Sequence, residues 1–366
     1  MALLDQPDVL APLPPVGLHF IEALDHSGLF GRGGASFPTG TKWRAVAQRS
    51  RGDAVIVVNG AEGEPQSKKD RMLMSTRPHL ILDGAFIAAR VLRARRIVLY
   101  IGEGYIAARD SMLRALAQRT EPERGIVSLA AAPARYVAGA ESAAIHFINE
   151  GVATPTSAPP YPFELATLVQ NVETLAHVAV LARTGAIPGT VLLTMAGGVA
   201  RQGVIEVETG TTIAEAITRA GGPSVAPRAV LVGGYFGRWM DNDEARRLPV
   251  VRESGLGCGV VGILPMSRCP VCDVAAIMGY LAGESSAQCG PCFFGLRALA
   301  DACTRIASEG SNPVALQRLE RWAVEVRGRG ACKHPDGAVI FLSSAMSVFA
   351  REFELHQSDH RLRQSA

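Results

Sequence analysis

The sequence lacks three features: cysteine in its first 257 residues, a strong excess of charge, and a long uninterrupted apolar run. The 37 Lys and Arg nearly balance the 34 Asp and Glu, and the net charge of +3 is not gathered into a basic block, which argues against nucleic-acid binding. The apolar region 175–195 contains His177 and Arg183, so it lacks the roughly 18–20 uninterrupted apolar residues of a transmembrane helix. The N-terminus has acids where a signal peptide has basic residues, so we expect no export.

The seven cysteines all fall between Cys258 and Cys332. An odd number of thiols in a chain without an export signal indicates a reducing compartment, where thiols bind metal or stay free. The cysteines therefore predict local chemistry in the last third of the chain. They do not predict a framework of disulfides.

The hydrophobic pattern of the first half predicts an α/β domain over residues 1–185. Runs of β-branched residues at 53–59 and 95–101 predict buried strands, and 78–92 has helical spacing between them. This alternation favours a parallel sheet with its ligand site at the strand ends. We expect the proline-rich stretch 154–163 to be an ordered loop over this domain.

The second half predicts a small β-grasp domain over 186–265 and a helical domain over 266–366. Two β-like runs in 190–207, a helix over 212–220 and a third β-like run at 229–232 give a ββαβ order. Helical periodicity follows near residues 274–281, 295–307, 313–327 and 338–353. Most of the cysteines lie on this predicted bundle.

Two loops of the α/β domain have the composition of ligand sites. The first reads GRGGASFPTGTKW at 31–43, where glycine backbone N–H groups can approach a phosphate and Arg32 or Lys42 adds positive charge. The second reads NGAEGEP at 59–65, where the carboxylates of Glu62 and Glu64 can orient a ribose or a nicotinamide amide. The alternatives are a surface loop for the first and a solvated charged loop for the second.

The third motif is a pair of thiols, Cys289 and Cys292, with Cys332 forty residues beyond. Thiolates are the usual ligands of iron–sulfur clusters. Taken alone, the pair is equally typical of a zinc site, a redox pair or two buried thiols. We interpret Cys258 and Cys303 as ordinary buried thiols.

Five sequence motifs occur together and in this order: GRGGASFPTGTKW, VVNGAEGEPQSKKDR, PHLILDGAFIAARVL, GAESA at 139–143 and QNVETL at 170–175. In this they resemble the NADH dehydrogenase 51-kDa subunit family, which is also found in NAD-linked hydrogenases and formate dehydrogenases. The resemblance runs from about residue 28 to 353. It implies an NADH-oxidising subunit that passes electrons through FMN and a [4Fe–4S] cluster to a ferredoxin, quinone-linked or other redox partner.

The resemblance also implies roles for individual residues. Glu62 would be the catalytic residue on the nicotinamide side of NADH, Phe37 would stack on the adenine, and Glu141 would lie where the nucleotide is contacted. The cofactor-binding residues it implies are Gly31, Arg32, Gly33, Gly34, Phe37, Lys42, Asn59, Glu64, Glu141 and Asn171. The cluster ligands it implies are Cys289, Cys292 and Cys332.

The sequence departs from the family pattern at residues that would surround the cofactors. Polar or acidic family residues are replaced by Ala61, Ala140 and Gln170, and an aromatic residue is replaced by Ala45. Each missing hydrogen bond would weaken flavin binding by about one to a few kcal/mol.

Ser286 stands where the family has its first cluster cysteine. There are three explanations for how a cluster would be bound without this cysteine. The serine ligates through its alkoxide, the site holds a three-iron cluster or an outside ligand, or Cys269 or Cys272 moves in. We expect His334 to be a surface residue at a helix entry, and His79 and His177 to be structural.

The resemblance further implies a small iron–sulfur or ferredoxin-like partner, and it allows for subunits of a larger redox complex. It places the chain in the cytoplasm, free or peripheral on the inner face of a membrane complex. The competing hypothesis is a non-catalytic or regulatory subunit that has lost a cofactor, and a third is a ligand-binding adaptor built around the β-grasp domain.

Overall fold

The computed structural model describes residues 2–156 and 166–356, and the chain divides into two units, 1–192 and 193–366. Most of the predicted proline-rich loop at 154–163 lies outside the described residues. None of the described helices combines the length and the apolar composition needed to cross a membrane.

The first unit contains a four-stranded parallel sheet. Its strands are β1 (Val55–Gly60), β2 (Arg96–Gly102), β3 (Val127–Ala132) and β4 (Thr167–Asn171). The strand order is β3-β2-β1-β4, so the chain builds outward from β1 to β3 and then returns to the other side of β1. The two predicted strands are confirmed as β1 and β2. The reversal beside β1 is the type of position where open α/β sheets bind ligands.

Helices lie on both faces of this sheet. They are α1 (Phe20–His26), α2 (Thr39–Arg49), α3 (Lys69–Thr76), α4 (Pro78–Leu92), α5 (Ile106–Ala117), α6 (Glu121–Gly125), α7 (Glu141–Glu150) and α8 (Val172–Thr184), with a 3₁₀ turn at Tyr136–Gly139. The predicted helix at 78–92 is confirmed as α4, and its first residue, Pro78, needs no N–H partner. Helix α4 packs closely on α8, because a Cβ at Gly84 would lie 2.0 Å from the carbonyl oxygen of Leu175.

The opposite face of the sheet packs against α7. Its buried cluster consists of Val57, Val98, Tyr100, Ala132, Ala144, Ile145 and Val169. Alternate residues of β1 face opposite sides of the sheet, and both sides are buried, which explains why the strand is a nearly continuous apolar run.

The second unit contains a mixed five-stranded sheet. Its strands are β5 (Thr190–Gly197), β6 (Gly203–Glu208), β7 (Pro227–Val232), β8 (Arg238–Asp241) and β9 (Val260–Pro265), in the order β6-β5-β9-β7-β8, with helices α9 (Ile213–Arg219) and α10 (Asn242–Arg247). The predicted ββαβ order is confirmed in β5, β6, α9 and β7. Thr212 and Glu215 form a capping box at the start of α9. Strand β9 pairs parallel with β5 and antiparallel with β7.

Five helices complete the second unit: α11 (Pro270–Gly283), α12 (Leu296–Glu309), α13 (Pro313–Val326), α14 (His334–Val348) and α15 (Ala350–Leu355). A π-helical turn at Pro291–Gly295 precedes α12, and a 3₁₀ turn lies at Arg252–Ser254. The predicted helix over 338–353 is divided in two. Phe349 leaves helical geometry with φ −109° and ψ 29°, and its buried ring packs edge-on against Trp239 at 5.4 Å.

Candidate functional site

Asn59 and Asn171 lie opposite each other at the carboxyl ends of β1 and β4. This is the point where the order of the parallel sheet reverses. Two amide side chains therefore lie at the position where sheets of this topology bind ligands.

Both amides hold neighbouring segments of the protein. Asn59 donates to the carbonyl oxygen of Gly139 at 2.9 Å and accepts from the N–H of Ala61 at 3.2 Å. Asn171 caps α8 by accepting from two backbone N–H groups, and it donates to Asp70 Oδ2 at 2.7 Å. Each amide thus fixes a loop at the strand ends.

The glycine-rich loop that precedes α2 lies against the start of α8. The backbone N–H of Arg32 donates to Thr174 Oγ1 at 2.9 Å, and a Cβ at Gly33 would come within 3.3 Å of Asn171 Cβ. The Nε atom of Arg32 is buried without a hydrogen-bond partner in the described chain. A buried cationic donor beside a glycine-rich backbone and a helix N-terminus suits a phosphate group, so these residues fit the phosphate end of FMN.

Lys42 and Glu141 form an ion pair beside this loop, with 2.6 Å between Nζ and Oε2. Lys42 also donates to the carbonyl oxygen of Val169 at 2.6 Å, which connects α2 to β4. Phe37 is about half exposed (52%), so its ring is accessible to a planar ligand. Two predicted site residues, Lys42 and Glu141, are thus brought into direct contact.

The carboxylate of Glu62 is used within the protein. Its side chain is only 2% exposed. It accepts from Ser67 Oγ at 2.7 Å, from the backbone N–H groups of Asp70 and Arg71, and from Arg71 Nε at 3.1 Å. Glu62 therefore binds the first turn of α3, where a negative charge is favoured by the helix dipole.

Glu64 is also buried, and it accepts a hydrogen bond from Tyr136 Oη at 3.1 Å. Gly63, between the two acids, lies so close to the next segment that a Cβ there would be 1.9 Å from the carbonyl oxygen of Tyr136. The loop 61–65 is therefore held by its carboxylates and by a glycine that permits close backbone approach.

A buried charge network was missed by sequence reasoning. Lys69 Nζ lies 2.6 Å from Asp70 Oδ1 and 3.0 Å from Glu173 Oε2, and all three side chains are nearly inaccessible. The signals were the Lys-Asp pair directly after the acidic turn and the acid in QNVETL. Neither signal predicts that Lys69 meets Glu173, because these two residues lie about a hundred positions apart in the sequence.

Burial and pairing shift the pKa values in this network. Burial raises the pKa of Asp70 to about 7, because the attraction of Lys69 only partly offsets the lost hydration and Glu62 adds repulsion. Burial opposes ionisation of Glu173 too, but the charge of Lys69 and the hydrogen bond to His177 lower its pKa to about 2. Lys69 loses hydration, yet Asp70 and Glu173 outweigh this and raise its pKa.

The cysteines predicted as cluster ligands lie near one another in the second unit. Cys292 is buried in the π-helical turn and donates a hydrogen bond to Cys332, which raises the pKa of Cys292 together with burial. That bond and the N–H of His334 lower the pKa of Cys332 to about 6 against the effect of burial. Cys289 interacts with Cys292, and its Sγ accepts from the N–H of Ala331 at 3.5 Å. Three neighbouring thiols, one of them poised as a thiolate, fit an iron–sulfur cluster.

Two serines, Ser285 and Ser286, lie in the segment that precedes Cys289. Ser286 stands at the sequence position of the missing cysteine, and the neighbouring Ser285 donates a hydrogen bond to Cys292. Cys269 precedes α11, whereas Ser286 follows it. The fourteen residues of α11 span about 21 Å, so Cys269, before the helix, and Cys272, in its first turn, lie at the opposite end of the helix from Ser286.

The prediction that His334 is a surface residue is wrong. It does begin α14, but it is only 2% exposed, and its Nε2 donates to the carbonyl oxygen of Leu281 at 2.7 Å. Its ring also packs edge-on against Phe236 at 5.4 Å. The structural assignment of His79 and His177 agrees with their buried positions in α4 and α8. Cys303 is buried as expected, and Cys258 is half-buried and donates to the carbonyl oxygen of Gly233.

Comparison with known families shows which class of protein has the site in the parallel sheet and the thiol group. Residues 24–180 match the Nuo51 FMN-binding domain, residues 192–234 match the SLBB domain, and residues 273–356 match the iron–sulfur binding region of the F-type chain of NADH-ubiquinone oxidoreductase. The protein is therefore an FMN-binding electron-transfer subunit with an iron–sulfur region.

Individual relatives identify the family. The chain is 30% identical to the F subunit of NADH-quinone oxidoreductase from Escherichia coli over 91% of its own length and 83% of the relative's. It is 28% identical to the F 2 subunit of NADH-quinone oxidoreductase from Rhizobium meliloti over 93% and 89%. The chain belongs to the family of NADH-quinone oxidoreductase F subunits, which confirms the predicted resemblance, the class of enzyme and the FMN and iron–sulfur cofactors.

The fold is also found in a hydrogenase. A chain of the NAD⁺-reducing [NiFe]-hydrogenase superposes with a TM-score of 0.84 and 29% identity, over 91% of this protein. The protein spans only 62% of the length of that hydrogenase chain.

Proposed function

We propose that the protein oxidises NADH at the carboxyl ends of β1 and β4 and passes the electrons through an iron–sulfur centre at Cys289, Cys292 and Cys332 to a separate redox protein. A bound FMN would supply the chemistry that converts a two-electron hydride transfer into single-electron transfers. The protein's own contribution is to bind, orient and shield the reactants.

The observation that carries the proposal is the buried Nε of Arg32, which has no hydrogen-bond partner in the described chain and lies at the reversal of the sheet order. A buried guanidinium donor left unpaired costs about 1–3 kcal/mol or more, and an anionic ligand removes that cost. Arg32 and the glycines Gly31, Gly33 and Gly34 would bind the flavin phosphate. Lys42 would add positive charge beside them.

The nucleotide side uses the residues that surround the loop 61–65. The exposed ring of Phe37 would stack on the adenine of NADH, and Glu141 would contact the nucleotide after exchanging its bond with Lys42. The hydrogen bonds of Glu62 favour a positioning role in which it holds this loop against α3. Glu64, Asn59 and Asn171 would keep the neighbouring segments in place around the site through their hydrogen bonds.

The iron–sulfur centre would have three thiolate ligands and an oxygen or outside ligand at the fourth position. Ser285 and Ser286 are the candidate oxygen ligands in this region. Oxygen is a harder donor than thiolate sulfur. A cluster with one oxygen ligand would therefore differ in its ligand set from a four-cysteine cluster.

The partner and the domain limits are part of the proposal. A small iron–sulfur or ferredoxin-like protein would take the electrons, since the relatives are named as subunits of larger enzymes. The proposed division is an FMN domain (1–185), a β-grasp domain (186–265) and an iron–sulfur domain (266–366), and the family matches over 24–180, 192–234 and 273–356 support it.

The test is an assay of dye reduction by NADH with the full chain purified anaerobically and supplied with FMN. We expect NADH-dependent reduction of the dye, which in Arg32→Gln requires a higher FMN concentration and in Arg114→Gln, at an exposed arginine on α5, is unchanged. A chain that holds flavin but reduces no dye would overturn the proposal.

The second candidate is a non-catalytic subunit of a redox complex. It is favoured by the carboxylate of Glu62, which makes four hydrogen bonds within the protein, and by the loss of polar groups at Ala61, Ala140 and Gln170. The same assay separates the two, because this candidate predicts no dye reduction and no bound flavin.

A further inference from the structure

Two cysteines and a histidine outside the proposed iron–sulfur site converge in the second unit. Cys269 precedes α11, Cys272 lies in its first turn, and His356 directly follows α15. Their ligand atoms all lie within 4.8 Å of one another. The C-x₂-C spacing is typical of metal sites, since it brings two thiols to one helix start.

The histidine ring is oriented as in a metal ligand. His356 Nε2 lies 3.1 Å from the carbonyl oxygen of Ala307, and because a carbonyl can only accept, Nε2 carries the proton. Nδ1 then has a lone pair and lies 3.8 Å from Cys269 Sγ. A backbone carbonyl that fixes the tautomer is the usual second partner of a metal-binding histidine.

The surroundings favour a metal-bound pair of thiolates. Cys269 and His356 are 8% and 5% exposed. The positive charge of Arg268 lies close enough to Cys272 to interact with it. A cavity of about 500 Å³ opens beside Cys269 and His356 and is also lined by Arg228 and Arg351, so a small ligand has access from solvent.

We propose that Cys269, Cys272 and His356 bind one Zn²⁺ ion, with the fourth coordination position taken by water or a small anion from the arginine-lined cavity. Two thiolates and an imidazole are a known zinc ligand set with an open fourth position. Each thiol releases its proton to solvent on binding, and Zn²⁺ undergoes no redox change. The ion would connect the start of α11 to the end of α15.

This site is distinct from the proposed iron–sulfur centre. Helix α11 separates Cys269 from the segment that contains Ser286 and Cys289 by about 21 Å. The zinc proposal therefore does not depend on how the cluster is completed or on NADH oxidation.

The experiment measures zinc, iron and flavin in the full chain purified anaerobically, and then titrates the zinc-free chain with Co²⁺ as a spectroscopic probe. We expect one zinc per native chain and a thiolate–cobalt absorption band. Cys272→Ser and His356→Gln should weaken binding at least about tenfold while iron and flavin stay unchanged. Cys258→Ser is the matched control and should behave as the native chain.

Cys289→Ser should lower the iron content and leave zinc unchanged, so failure of the cluster assignment is distinguishable from failure of the zinc site. Equal zinc in the native chain and both ligand variants would overturn the proposal. A disulfide between Cys269 and Cys272, found by peptide mass mapping of the anaerobic protein, would also overturn it.

Discussion

The side-chain amide of Asn171 donates to Asp70 Oδ2 at 2.7 Å and so joins the end of β4 to the first turn of α3. Asp70 accepts from Lys69 on its other oxygen. The cap of α8, the buried charges and the acidic turn are therefore one hydrogen-bonded structure at the reversal of the sheet.

Replacing Asp70 by Asn should change how stability depends on pH. The folded-state pKa of Asp70 is raised from 3.8 to about 7. Its contribution is therefore fully present below pH 4 and is lost as pH rises through 7. We expect the melting temperature of the native chain to fall more steeply between pH 4 and 7 than that of Asp70→Asn. Parallel curves for the two proteins would show that Asp70 ionises normally.

Replacing Arg32 by Gln should weaken flavin binding. A charge-assisted hydrogen bond to the phosphate contributes about 1.5–3 kcal/mol, so the dissociation constant of FMN should rise by roughly tenfold or more. Fluorescence titration with FMN measures this, and riboflavin, which lacks the phosphate, should bind both proteins equally. An equal loss for FMN and riboflavin would place Arg32 away from the phosphate.

Replacing Glu62 by Gln should destabilise the protein. The amide keeps one acceptor but loses the charge that pairs with Arg71, and we expect a loss of about 1–3 kcal/mol in unfolding free energy. Glu22→Gln, at an exposed position of α1, should change stability little. Unchanged stability of Glu62→Gln with a raised KM for NADH would instead assign Glu62 to direct nucleotide binding.

Replacing Gly63 by Ala should distort the turn between β1 and α3. The added Cβ would lie 1.9 Å from the carbonyl oxygen of Tyr136, and such overpacking costs about 1–3 kcal/mol. Gly104→Ala is the control, because a Cβ there meets nothing within 4 Å. Chemical denaturation compares the two. Equal stability would show that the loop moves freely.

Replacing Ser286 by Cys should complete the thiolate set of the cluster. We expect about four irons per reconstituted chain and slower loss of iron in air than in the native protein. Ser285→Cys tests the neighbouring position. If Ser285→Cys gains iron and Ser286→Cys does not, the ligand position is 285, and the family alignment is shifted by one residue here.

The sequence predicted those elements whose pattern is dictated locally. Strands β1 and β2 are short apolar runs, and helix α4 has apolar residues at helical spacing, so all three were predicted from the sequence. Strand β3 is rich in alanine and β4 is short and ends in polar residues, so neither has a strong local signal. The family motifs predicted both candidate sites.

The sequence could not show which polar groups pair. The four donors of α3 and of the turn before it that Glu62 meets were not predicted. His334 was predicted to be exposed, although it is buried against Leu281 and Phe236. These outcomes depend on tertiary contacts between distant segments. The convergence of Cys269, Cys272 and His356 likewise joins residues 87 positions apart.

The most direct test of the account is the visible spectrum of the anaerobic full chain before and after one equivalent of NADH, with flavin and iron measured on the same sample. The account predicts a flavin band that bleaches on addition of NADH and an iron-dependent absorption at longer wavelength. A colourless chain that binds no added FMN and shows no change with NADH would contradict it.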